Sequence, residues 1–157
     1  TGADAAMRVA GGGRSMTLIF AAALAMALQA PPASGWTWSL YEGEGPMVLA
    51  NDIPDTANLR ATLQCLPGSG AVTVAVYGEN AASGFARLSA GGVTAASEAR
   101  LGRGGKLETA IPVDHPAFSA FVAEGRMTIT VGDDASAITV ERPHLAKLRR
   151  FADLCAG

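Results

Sequence analysis

Leu59-Arg60-Ala61-Thr62-Leu63-Gln64-Cys65 alternates apolar and polar residues without a break. A period of two belongs to a strand with one buried face, so Leu59, Ala61, Leu63 and Cys65 point inward and Arg60, Thr62 and Gln64 outward. The chain then turns at Pro67-Gly68-Ser69-Gly70 into Val72-Thr73-Val74-Ala75-Val76-Tyr77, which carries three valines on one face. Two such runs joined by a short glycine-rich turn predict an antiparallel hairpin.

The pattern continues on both sides. Upstream, Trp36 to Tyr41 and Met47 to Ala50 read as strands separated by the turn Glu42 to Pro46, and Asn51 to Asp55 reads as a loop. Downstream, Gly78 to Gly84 is a polar loop, Phe85 to Ser89 and Val93 to Leu101 are strands parted by Gly91-Gly92, and Lys106 to Ile111 follows the turn Gly102 to Gly105. Thr94 to Ala99 is rich in alanine and serine and suits a helix by propensity, but its glycine flanks and its β neighbours favour a strand. Met127 to Val131 and Ala137 to Val140 form a last hairpin, turned by Gly132-Asp133-Asp134.

Two segments change period. Asp114-His115-Pro116 opens a helix over about 116–124, with Asp114 or His115 as cap, proline in the first turn and Gly125 as terminator. Its buried side is Phe118, Phe121 and Val122. At the other end of the chain, residues 143–155 place Leu145, Leu148, Phe151, Ala152 and Cys155 on one stripe and Lys147, Arg149, Arg150 and Asp153 on the other. The expected fold is therefore mainly β: an antiparallel β-sandwich or open barrel of about 7–9 strands, with both helices packed on it. Cys65 faces inward from a strand and Cys155 inward from the last helix. These are the only two cysteines, and a Cys65–Cys155 disulfide is expected.

That expectation fits an exported chain. Met7 precedes Arg8 and Arg14, then an apolar run from Met16 to Ala30, then Pro31-Pro32 and the small residues Ala33-Ser34-Gly35. This is the layout of a secretory leader, and Thr1 to Ala6 read as sequence upstream of it. A retained N-terminal anchor is the other reading of the same run. Residues 1–35 are thus expected to be removed through a Sec-type route, leaving 36–157 as one periplasmic or secreted domain without stable membrane insertion. The leader takes Asp4, Arg8 and Arg14 with it, so the net charge moves from −2 to about −3. Such a mildly acidic domain argues against nucleic acid as a partner.

Catalytic groupings are sparse. The two histidines, His115 and His144, both stand beside prolines at helix starts, where capping or a surface position is the ordinary role. Asp114 with His115 is the one pair that could serve a small hydrolase, provided a nucleophile lies within hydrogen-bond reach. No spacing suits zinc or calcium, and no cofactor is implied. Trp36 and Trp38 share a strand face. Such a pair is usually core anchoring, and otherwise forms a platform for a small ligand. Arg149 and Arg150 could meet an acidic partner, although cations near a helix C-terminus are commonplace, and Arg149 could pair with Asp153 one turn on.

An early tryptophan, an inward cysteine on the third strand, a glycine-ended short helix, a hairpin and a Leu/Phe helix ending in cysteine together resemble small exported bacterial proteins. These are the proteins grouped around the invasion-associated locus B family and the VasI family. The resemblance covers most of residues 36–157 and rests on layout. Locus B proteins usually carry more cysteines than this chain does. The resemblance implies a non-enzymatic envelope or secreted protein, an interaction module for another envelope or exported protein.

Overall fold

The computed structural model describes residues 35–78 and 83–157. The expected leader, apart from Gly35, and residues 79–82 of the expected polar loop lie outside the described residues. Nine strands form one antiparallel sheet: β1 (Thr37–Tyr41), β2 (Met47–Asp52), β3 (Leu59–Cys65), β4 (Ala71–Tyr77), β5 (Gly84–Ala90), β6 (Val93–Leu101), β7 (Lys106–Pro112), β8 (Arg126–Val131) and β9 (Asp134–Thr139). Their order is β1-β2-β3-β4-β7-β6-β5-β8-β9. The sheet curls into a half barrel, so of the two architectures expected it is the open barrel that forms. Helix α1 (Pro116–Glu124) interrupts the strands between β7 and β8. A 3₁₀ turn, Arg142–His144, leads into helix α2 (Leu145–Ala156) at the C-terminal end.

The sheet has two halves. Helix α2 packs mainly against β1, β2 and β4, while α1 packs against β5, β6 and β8, and the helices touch each other. Their apolar faces fill the inside of the curl: Leu148, Phe151 and Cys155 from α2 meet Phe118 and Phe121 from α1, all essentially inaccessible to solvent. Phe118 and Phe121 lie 6.3 Å apart, tilted by 55°, within the range of favourable aromatic pairs. Inward residues of the first half, Leu49, Leu63, Val72, Val74 and Ile111, complete one continuous core with Leu88, Met127 and Ile129 of the second.

The disulfide forms as expected, Cys65 to Cys155, closing a loop with a sequence separation of 90. Backbone bonds reinforce it. The hairpin turn between β3 and β4 donates from Gly68 N–H to Leu154 O and from Gly70 N–H to Cys155 O. The last carbonyls of a helix have no partner within the helix, and here the turn supplies one. Gly125 ends α1 with φ of 74°. A methyl group there would approach Val140 O to 2.3 Å, so the position takes glycine for space as well as for handedness.

The structure departs from the sequence reading at three boundaries and at two neighbouring side chains of β3. β2 continues through Asn51 and Asp52, which turn chemistry had placed in a loop. The strand tolerates Asp52 because Ser39 Oγ and Tyr41 OH both donate to its carboxylate, leaving it 5% exposed yet satisfied. β9 starts at Asp134, because Val131 pairs with Asp134 and the turn is only Gly132-Asp133. The final α-helix starts at Leu145, since Pro143 lies in the preceding 3₁₀ turn. Leu59, expected inward, lies opposite Asp52 on the outer face and outside the core, and Arg60, expected outward, belongs to the site.

Candidate functional site

The two ends of the sheet, β1 and β9, come together without a ladder. One side chain bridges them: Trp38 Nε1–H donates to Thr139 O at 3.0 Å. Trp38 is 1% exposed, so it is core and seam at once, the bland role expected for such a tryptophan. Helix α2 holds the same place from the other side, where Lys147 Nζ donates to Trp38 O at 2.6 Å. Farther along, Arg150 makes a two-point pair with Glu42 through Nε and Nη2.

At the mouth of this seam lies a cleft of about 540 Å³. Trp36, Trp38, Asn51, Ala61, Val76 and Ile138 reach it from the inner face of the curl, and Arg60, Tyr77, Glu141 and His144 complete its lining. Arg60 arrives there through a bulge. Asn51 pairs with Ala61 while its neighbour Asp52 pairs with Leu59, so Arg60 is an extra residue in β3. Strict alternation had turned Arg60 outward. The bulge re-aims it, and its guanidinium stacks over the Trp36 ring at 4.0 Å from the centroid, a cation–π contact. Trp36 is only half-buried, so one tryptophan of the pair is structural and the other is available.

Comparison with protein-family models, curated proteins and solved structures finds no match. The site therefore rests on its own geometry.

The other residues singled out in the sequence fall elsewhere. His115 is the N-cap of α1, and its Nδ1 accepts the Ala117 N–H at 3.1 Å, which commits one ring nitrogen. Neither Asp114 nor His115 lines the seam cleft. His144 occupies the N-cap position of α2 without a side-chain cap bond and faces the cleft instead. Arg150 is occupied by Glu42. Arg149 is exposed and, among the described residues, has no ion-pair partner, so the expected pair with Asp153 does not form. Among the described residues no group of three or more His, Cys, Asp or Glu is placed to hold a metal ion.

Sequence reading missed Arg60, Asn51, Tyr77 and Glu141. Arg60 owes its place to the bulge, which leaves no mark in the residue pattern, and Asn51 to the continuation of β2 past the expected turn. Tyr77 was legible as the last residue of a strand on the edge of a polar loop, a common address for exposed aromatics.

Tyr41 sits outside the cleft, on the outer face of the same half. Its hydrogen bond to Asp52 raises its pKa above the ordinary 10.0, with burial and the charges of Asp52 and Asp55 adding to the effect and Ser39 opposing it. Glu42 is lowered by its hydrogen bond to Arg150.

Proposed function

We propose that this protein is a non-enzymatic, exported interaction module that grips a partner protein at the seam cleft. The observation that carries this reading is the composition of the cleft wall: a partly exposed Trp36 stacked by Arg60, with Tyr77 in the same lining. Tryptophan, tyrosine and arginine are the side chains that most often dominate binding energy between proteins, because each combines a large flat surface with a polar tip. Stacking holds both groups in place before a partner arrives, which lowers the entropy lost on binding.

The disulfide supports an oxidising compartment, and the leader-like run Met16 to Ala30 supports export. The layout shared with small exported envelope proteins points the same way. The partner is then another envelope or exported protein. The same wall also suits a small flat ligand such as a sugar, stacked on Trp36, and that is the second reading. A small hydrolase built on Asp114 and His115 finds less support, since the Nδ1 of His115 is already engaged in the helix cap.

The test is retention. The purified domain, immobilised and exposed to the envelope fraction of its own cells, is expected to hold a partner that Trp36→Ala and Arg60→Ala each release. Retention unaffected by both substitutions would remove the cleft from the reading. Trp36 fluorescence separates the two ligands: quenching by free sugars would favour the small ligand. N-terminal sequencing of the protein recovered from cells checks export, with a start near Trp36 expected.

A further inference from the structure

The sheet has a second discontinuity, on the side opposite the seam. β6 and β7 pair only over Ala99–Thr109, Arg100–Glu108 and Leu101–Leu107, next to their turn. Beyond these pairs the strands diverge, and a notch of about 390 Å³ opens between them. Its rim holds outward-facing Thr73, Glu98, Arg100 and Glu108, and its depth reaches the inward-facing Ser97 and Thr109.

The register shows which backbone groups face this notch. In an antiparallel strand a residue turns its N–H and C=O to the same side, and alternate residues turn to opposite sides. Gly102 N–H donates to Lys106 O, toward β7, whereas Leu101 N–H donates to Ser83 Oγ on the β5 side. Even-numbered residues of β6 therefore point away from β5; Glu98 keeps β7 beside it only through its carbonyl, and Thr94 and Ala96 have no strand beside them. On the facing strand, Val113 N–H goes to Gly70 O beside β4, so it is Ala110 and Pro112 that face the notch. Pro112 has no N–H, and its carbonyl already accepts from His115 N–H. Thr94, Ala96 and Glu98 thus offer three donors, and Thr94 and Ala96 two acceptors, at the two-residue spacing of a strand; the Glu98 carbonyl is taken, since the Ala99–Thr109 pair is closed by Ala110 N–H donating to it.

A separate observation marks the same place. Thr109 is 4% exposed, and its Oγ1 is the one buried side-chain polar atom without a hydrogen-bond partner among the described residues. Buried hydroxyls are ordinarily paired. The charges on the rim are already matched to one another, Arg100 with Glu98 and Lys106 with Glu108, so the notch makes no demand for a charged occupant.

We propose that the notch receives an extended, uncharged segment of another polypeptide, which adds as a strand to β6 along Thr94–Glu98. Strand addition uses main-chain bonds for affinity and alternate side chains for choice. At about 3.4 Å per residue, the free edge matches a segment of roughly five residues. Side chains or carbonyls on the inner side of that segment accept from Thr109 Oγ1. This surface is independent of the seam cleft, and neither needs the other to be occupied.

The probe is the capped peptide acetyl-Thr-Val-Thr-Val-Thr-amide, titrated into the disulfide-bonded domain and followed by amide NMR and hydrogen exchange. The Ala96 and Glu98 amides are expected to exchange freely in the protein alone, then to shift and slow by about tenfold or more with peptide, as an occupied ladder bond requires. A peptide N-methylated at alternate positions should lose the effect. Ala96→Pro deletes only an N–H that faces the notch, so it should abolish binding while thermal unfolding and Trp38 fluorescence stay near those of the parent. Thr109→Val should weaken binding by about tenfold, the scale of one lost hydrogen bond. The proposal is overturned by protection of Ala96 and Glu98 before any peptide is added, by equal shifts with the N-methylated peptide, or by no shift at millimolar peptide. Protection that grows with protein concentration alone would assign the edge to a second copy of the chain and equally overturn it. Loss of retention in the Trp36→Ala test leaves these outcomes unchanged.

Discussion

The seam and the notch are the two places where the halves of one sheet meet, and they are finished differently. At the seam, β1 and β9 make no ladder, yet the gap is held by an indole N–H on a carbonyl, a lysine from α2 and, nearby, the two-point Arg150–Glu42 pair. At the notch, β6 and β7 begin as a proper hairpin and then part, and nothing among the described residues fills the space. The difference teaches that ladder bonds alone do not decide which edge of a sheet is open. Side chains and a docked helix closed one edge, and a hairpin that starts correctly left another edge bare. Open edges are a hazard that proteins usually cover or charge. Glu98 and Arg100 stand on this one, in keeping with that rule.

The contrast can be broken most severely at α2. Replacing Cys65 and Cys155 together by alanine frees a loop of 90 residues, and the chain-entropy model puts the cost at about 4 kcal/mol. Urea unfolding should show it as a lower midpoint. Loosening of the seam should follow as faster exchange in β1 and β2, with the amides around the notch unchanged. A smaller break comes from Trp38→Phe, which keeps the ring in the core but leaves Thr139 O without its donor. A loss of roughly 1–3 kcal/mol is expected, and an unchanged midpoint would show that the indole bond contributes nothing to closing the seam.

Sharpening goes in the other direction at the notch. Thr109→Val swaps the unpartnered hydroxyl for a methyl group of similar volume. The free domain should gain about 1 kcal/mol, because burying an unpaired hydroxyl is unfavourable. Destabilisation by that substitution would mean the hydroxyl has a partner after all. The smallest effect is at Tyr41. Its pKa in the folded state is raised, chiefly by the bond to Asp52, so its contribution is fully present below the ordinary tyrosine value of 10.0 and is lost as pH rises through the higher folded value. Ultraviolet titration, compared between the parent and Tyr41→Phe, should show the Tyr41 step displaced to higher pH. In Asp52→Asn that step should move back down.

Much of the fold was legible because it rests on local periodicity. The run Leu59–Cys65 gave the bounds of β3 and the inward face from Ala61 to Cys65, and glycine flanks overrode helix propensity in Val93–Leu101, which is β6 along its whole length. Pro116 and Gly125 bounded α1 as their chemistry requires. Less was legible where polar residues are satisfied by distant partners. Asp52 looks like a turn residue until Ser39 and Tyr41 are seen to donate to it, and Arg149 looks like half of a helix pair until the structure leaves it alone and gives Arg150 to Glu42.

The sequence by itself determined that this chain makes an antiparallel β body, that two helices lie on it, and that Cys65 and Cys155 face the same interior, because each of these follows from a repeat of 2 or 3.6 residues. Only the tertiary structure decided that the sheet curls into one open barrel, that Arg60 turns onto Trp36, and that β6 parts from β7. Those outcomes depend on register, on a single extra residue in β3, and on how two helices share one core. None of them repeats along the chain, so no local pattern could carry them.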